Sequence, residues 1–178
     1  MSSKFNVSDI IIDHVKTLRN DATKQYQKAD FGISFLVPAA ISIVLVGLGL
    51  VVNSTIAIGM ITAFSIFGAL LLNLLLLLYQ MVNGDSSQKD EKLPRVNMLK
   101  RAQLLKETYS NISFEILLAI IVIVILLFTI IVGTNNVAVS VLSFFDYFVG
   151  FTFVITLTMV LKRVHRLVSM EFESSGGN

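Results

Sequence analysis

Two carboxylates stand in apolar runs that carry no other formal charge: Asp146 in "SFFDYFVG", residues 143–150, and Glu115 in "ISFEILLAIIVIV", residues 112–124. A charge in hydrocarbon costs roughly 2.5–3.5 kcal/mol even on the gentlest insertion scales, so such an acid marks an ion path, a proton relay or a polar helix contact. Asp146 falls about ten residues past the polar turn "GTNN" (133–136), roughly 15 Å deep at about 1.5 Å per residue, and no basic residue shares that depth. Helical spacing puts Ser143 and Gly150 on its face, with Ser140 close by; such residues pack helices closely or line an aqueous path. Two readings stay open for Asp146: a neutral acid bonded across a helix interface, to Ser143 or Tyr147 for example, or a carboxylate on an ion or proton path. Glu115 sits about one turn inside its run and is expected to snorkel outward or to pair with Lys162 or Arg163. A functional role for it is the alternative.

A second polar stripe runs through residues 55–82. Thr62, Ser65, Ala69 and Asn73 share one helical face that continues toward Gln80, and Asn73 sits amid "LLNLLLLL". An amide there is a strong donor and acceptor for a neighbouring helix, and packing glue is the plainer reading of it. Enzyme chemistry finds no support. The chain lacks a Ser/His/Asp set, an HExxH pair and a Walker-type glycine loop, and its two histidines, His14 and His165, lie far in sequence from the acids. No catalytic residue, metal site or cofactor is expected, and a net charge of +2 argues against binding duplex nucleic acid.

The elements that must hold these residues are membrane helices. Apolar residues make up 54% of the 178 and charged residues 15%, with a mean hydropathy of +0.78. Four apolar segments, near 32–52, 55–82, 112–132 and 137–161, are each long enough to cross a hydrocarbon core of about 30 Å. Lipid offers no partners to open backbone groups, so each is expected to be a helix, giving an all-α membrane protein. Asn53-Ser54 joins the first two segments and Gly133–Asn136 the last two, which predicts two hairpins. All 14 Lys and Arg lie elsewhere: five before residue 32, six between 83 and 111, and three after 161. The positive-inside rule therefore places both termini and the 83–111 segment in the cytoplasm. Residues 1–31 lack an apolar core ahead of a cleavage site, so the first apolar segment is expected to serve as targeting signal.

Residues 1–31 and 83–111 each contain an amphipathic pattern, Val15, Leu18, Ala22 and Tyr26 in one and Met98, Ala102, Leu105 and Tyr109 in the other. The organisation read from the chain is thus an N-terminal cytoplasmic helix (1–31), a first membrane hairpin (32–82), a cytoplasmic loop and helix (83–111), a second hairpin (112–161), and a basic flank with a flexible tail (162–178). Both hairpins open on Ile-Ser-Phe, at 33–35 and 112–114, which suggests two parallel copies of one unit. The cytoplasmic helices are expected to pack on each other or on other copies rather than to anchor in lipid. Asn53-Ser54-Thr55 matches a glycosylation pattern, but a site hugging the bilayer is out of a transferase's reach. One four-span subunit cannot enclose a wide pore. Symmetric association would bring copies of Asp146 or Asn73 around an axis as a polar ring.

The layout, with "TYSNISFEILLAIIVIVILL" (108–127) and the paired Ile-Ser-Phe starts, resembles the small membrane effectors of bacterial anti-phage systems: SLATT-like two-span proteins and the four-span membrane components of Hailong- and Kiwa-type defence. That resemblance implies a homo-oligomeric pore, a tetramer being one candidate size, in the bacterial inner (plasma) membrane, which depolarises the cell when triggered. It further implies control by a cytoplasmic partner protein or a nucleotide signal. Lys162, Arg163, His165 and Arg166 then become a candidate nucleotide site, against the reading that they are an ordinary positive-inside flank. The alternatives are a non-conducting membrane sensor or scaffold that recruits a cytoplasmic partner, and a small proton-coupled transporter.

Overall fold

The computed structural model describes residues 8–17, 32–84, 95–133 and 136–175. All of them are helical except 48–53 and Gly133. In chain order the elements are α1 (Ser8–Thr17), a π turn (Gly32–Leu36) running directly into α2 (Val37–Gly47), α3 (Ser54–Gly84), α4 (Arg95–Val132) and α5 (Asn136–Ser175). Within the sequence-derived plan, Leu18, Ala22 and Tyr26, most of the loop after residue 84, Thr134-Asn135 and the last three residues lie outside the described residues.

Local chemistry sets the helix ends. Pro38 sits in the first turn of α2, directly after the π turn. Beyond Gly47 the chain leaves the helix through Gly49, whose φ of +77° is open to glycine at no steric cost. Asn53 then caps α3: its Oδ1 accepts from the Ile56 N–H at 2.9 Å. Gly133, at φ +69°, closes α4 in the same left-handed region. Neither glycine nor proline interrupts 95–132, so the amphipathic stretch and the apolar run expected as two helices fuse into one of 38 residues. α5 likewise carries on through the basic flank for 40 residues in all. The two helices are about 57 and 60 Å long, roughly twice a hydrocarbon core. Both project at the end that carries Arg95 and Arg163, the basic end of the molecule; the opposite end, at Gly133, is the turn end.

Among the described residues three helices, α3, α4 and α5, are long and apolar enough to cross a membrane, which is the build of a membrane protein. The first apolar segment differs from its expectation. Its helix stops at Gly47 rather than near residue 52, and with the π turn it rises about 24 Å.

Packing separates the two predicted hairpins. α4 and α5 lie side by side, as a hairpin should, but α2 and α3 do not pack on each other among the described residues. α3 lies on α4, while α2 and its π turn lie on α5, so the layer runs α3, α4, α5, α2. The 48–53 segment bridges that separation, and the Val52 N–H donates to Ser143 Oγ of α5 at 2.8 Å. The expected two-fold repeat is therefore absent from the packing of the described residues: α1 is a separate helix seated on α4, whereas the second amphipathic stretch is part of α4 itself.

The seams have a seven-residue period. Ala57, Phe64, Leu71 and Leu78 are the buried stripe of α3, and Leu105, Ile112, Ala119 and Leu126 form a stripe on α4. The two stripes approach closely at Gly68 of α3, where an added methyl would stand 3.8 Å from the Ala119 Cβ. Beside it α4 carries a second stripe, Thr108, Glu115, Val122 and Thr129, and α5 answers with Val139, Asp146, Phe153, Val160 and Leu167. A strict seven-residue repeat keeps one seam facing its partner along a left-handed pair of helices. Both intramembrane acids thus occupy core positions of the α4–α5 seam.

Candidate functional site

The α4–α5 seam holds polar groups at both ends and an apolar middle. Near the turn end Asp146 is fully buried, and Thr129 Oγ1 of α4 lies 2.7 Å from its Oδ2. The same hydroxyl lies 3.1 Å from the Ile125 carbonyl one turn back on α4. A hydroxyl has one hydrogen, so it serves one acceptor at a time. With that hydrogen on the Ile125 carbonyl, a neutral Asp146 donates to Thr129; with it on Asp146, the carboxyl accepts. Asp146 Oδ1 has no partner among the described residues. Ser143, one turn toward the turn end, is also fully buried and is occupied by the Val52 N–H.

The middle of the seam is apolar. Val122 of α4 and Val149 and Phe153 of α5 are all buried there, in one apolar cluster. Phe153 is met edge-on by Phe64 of α3 at 5.0 Å between centroids, with Phe67 tilted against it at 6.0 Å. Gly150 faces this cross-layer contact, where a methyl would meet the Phe64 ring at 3.5 Å and Met60 at 3.6 Å, both ordinary contact distances. Thr152 and Thr156 are the buried hydroxyls of α5 along this stretch, and both donate to backbone carbonyls at 2.8 Å. From Thr129 to Glu115 the separation along α4 is roughly 20 Å.

At the basic end three successive turns of one face of α4 present Glu107, Asn111 and Glu115. Glu115 is fully buried, and neither of its oxygens has a hydrogen-bond partner among the described residues. Thr156 lies beside it without reaching bonding geometry. Asn111 Oδ1 accepts from the Nδ1–H of His14, at 2.8 Å, and the His14 ring stacks on Phe114 with centroids 3.8 Å apart. Burial drives the His14 ring down from 6.5 to about 4; the Asn111 bond opposes this and the nearby Arg163 charge adds to it. Arg163 Nη1 itself lies 3.4 Å from both Glu107 Oε2 and the Glu107 carbonyl.

Several expectations change. Glu115 neither snorkels nor pairs with Lys162 or Arg163, because Arg163 is taken by Glu107 two turns away and Lys162 is exposed. Asp146, expected at a polar ring, is instead buried within its own chain, where Thr129 is its partner. Thr62 and Ser65 lie toward the outer side of α3, away from both acids, with Thr62 donating to the Ile58 carbonyl at 2.9 Å, and Asn73 is exposed on the same helix. The basic quartet divides. Lys162, His165 and Arg166 share the exposed face of α5 while Arg163, about 100° round the helix from Lys162, turns inward. His14 is the residue that sequence reading set aside, and its only advance signal was its place four residues after Ile10 on one face of an amphipathic helix.

Among the described residues no group of three or more His, Asp or Glu side chains comes together to hold a metal ion. Chemically the seam offers two protonatable carboxyls, hydroxyls that both give and take hydrogen bonds, and an aromatic barrier between them. No family model, curated protein or solved structure matches the chain.

Proposed function

We propose that the chain is a four-span protein of the bacterial inner membrane, with both termini in the cytoplasm, that passes protons along its α4–α5 seam when triggered and so depolarises the cell. The carrying observation is that two carboxyls, Glu115 and Asp146, are fully buried in one seam with oxygens left unpartnered among the described residues. An unpaired buried carboxylate is very costly, so at rest each acid holds a proton, and a proton held at membrane depth is one that can be passed on. The apolar Phe153 region makes the arrangement a closed gate, as an effector at rest requires. The close packing of the seam favours protons, which pass between bonded groups, over ions that need a hydrated width.

Four crossings are supported by where the ends meet. His14 of α1 contacts α4 beside Arg163, at the basic end, while α3 starts at the turn end next to Ser143. On this reading the chain between them traverses the full layer, and α2 with its π turn and the 48–53 segment is the first crossing. The three basic regions then fall on one side, as the positive-inside rule asks.

Association of copies is carried by α3. Asn73 is exposed amid leucines, with Ser65 and Thr62 on earlier turns of the helix, and an amide facing lipid gains by bonding to its own counterpart in a second copy. On the resemblance to anti-phage effectors, the exposed Lys162, His165 and Arg166 receive the cytoplasmic partner or nucleotide signal.

Bacteria overproducing the chain and loaded with a potential-sensitive dye test the reading. Depolarisation by the wild type that is lost in Glu115→Gln and in Asp146→Asn supports it. A full potential with the protein present in the membrane overturns it and leaves the non-conducting scaffold.

A further inference from the structure

We propose that α1 is a releasable cover on the basic end of the α4–α5 seam, held by His14 and keeping water from Glu115; the inference rests on the proton-passing role of that seam. Asn111 and Glu115 lie one turn apart on the same face of α4, and Phe114 adjoins Glu115 in the chain. His14 engages both members of this turn at once, giving a hydrogen bond to Asn111 and laying its ring on Phe114 nearly parallel, at 8°. The residue is 1% exposed, although it belongs to a helix of only ten residues whose Ile11 and Ile12 face outward. α1 thus projects one polar ring into the space between the basic end and the first acid, and among the described helices it packs on α4 alone.

A helix this short is marginal by itself. Its place on α4 depends on the contacts it makes there, among them Ile10, which packs against the core. At the ring the hold includes stacking on Phe114 and a hydrogen bond to Asn111, and Glu107 and Arg163 are paired with each other on the next turn outward. A ligand, a partner or a charge on the ring undoes the stacking and the hydrogen bond together. With α1 lifted, water reaches Glu115, whose carboxyl then has a source and a sink for its proton.

The chain has no cysteine, so a single engineered thiol reports access without background. Glu115→Cys in the full chain, reconstituted in liposomes, is treated with a water-soluble maleimide in the presence of His14 and in the His14→Ala background. The expected result is a thiol that reacts slowly with His14 in place and at least tenfold faster without it, while Val122→Cys in the middle of the seam stays unreactive in both. Equal rates at position 115 overturn the cover. If Val122→Cys also becomes reactive, the helices have come apart, and the comparison is made with Asn111→Ala, which leaves both rings in place and carries the same expectation. Labelling is read without any proton flux, so a cover that opens in a chain that never depolarises cells refutes the conduction reading alone.

Discussion

The Thr129 hydroxyl on α4 and the Asp146 carboxyl on α5 lie 2.7 Å apart across a seam in which both are buried. The bond joins consecutive helices through groups at equivalent depth, 17 residues apart in the chain. It gives an acid in an apolar helix a partner within its own chain, and it leaves one carboxyl oxygen over.

Thr129→Val removes that partner and nothing else of similar size. Interhelical hydrogen bonds in bilayers average a little under 1 kcal/mol, so the expected loss of stability is about 1 kcal/mol, read from unfolding in mixed micelles. Asp146→Asn keeps a group that bonds to Thr129 and is expected to lie within about 0.5 kcal/mol of the wild type while abolishing depolarisation, because an amide does not exchange the proton. Retained depolarisation in Asp146→Asn would remove this acid from the path.

Glu115 separates a structural from a functional role more sharply. Neither oxygen bonds to a described residue, so Glu115→Leu is expected to match or exceed the wild type's stability, by up to about 2 kcal/mol, as the desolvation cost disappears. The same variant should fail to depolarise cells. A clear loss of stability would show that Glu115 is held by contacts, and a fully active Glu115→Leu would strike it from the mechanism.

His14 predicts a pH dependence with a definite sign. Its ring falls from 6.5 to about 4 on docking, with burial the main cause. Docking strength is therefore complete above about 6.5, falls tenfold per pH unit as pH drops below that, and levels off near 4, a total of about 3 kcal/mol. Among the groups facing the ring are Asn111 and Phe114 of α4 and the Arg163 charge of α5, itself paired to Glu107. Amide exchange along α1, corrected for its intrinsic pH dependence, should show about tenfold less protection at pH 5.5 than at 7.5. Unchanged protection would mean that the ring carries no weight in docking.

Gly150 tests the cross-layer contact. A methyl there meets Phe64 and Met60 at ordinary van der Waals distances, so Gly150→Ala should be tolerated and even slightly stabilising. Gly150→Leu forces the Phe64 ring off Phe153, and overpacking of this kind costs about 1–3 kcal/mol in thermal or denaturant unfolding.

Asn73→Leu bears on association. Its amide is exposed on α3, and losing it should lower the oligomer mass in mild detergent while leaving the helix content as it was. An unchanged mass would place the contact between copies elsewhere.

Much of the helical plan was legible because it follows from short-range rules. Runs of Leu, Ile and Val without strict alternation specify helices, and the turns at Asn53 and Gly133 mark ends through capping and backbone freedom, whereas the earlier exit through Gly49 was not read. The positions of the acids were legible too, and so in principle was their burial: Asp146 shares a seven-residue series with Val139, Phe153, Val160 and Leu167, and Glu115 shares one with Thr108, Val122 and Thr129. Neither series stands out while every face of a helix is apolar, since periodicity is visible only against contrast.

That α2 and α3 lie apart could not be read, because a short connection predicts adjacency only when the chain turns back at once. Here 48–53 runs on past α5, tied down by Ser143, so α2 and α3 part company. Depth alone suggested that Glu115 snorkels or pairs with Lys162 or Arg163, yet helix rotation gave Arg163 to Glu107 and left Glu115 facing Thr156. The joining of His14 to Asn111, 97 residues away, lies equally beyond local pattern. Composition and spacing determined what each segment is and how deep its polar groups stand. Partnership was decided by the angles at which long helices meet, and those depend on side chains of several elements at once.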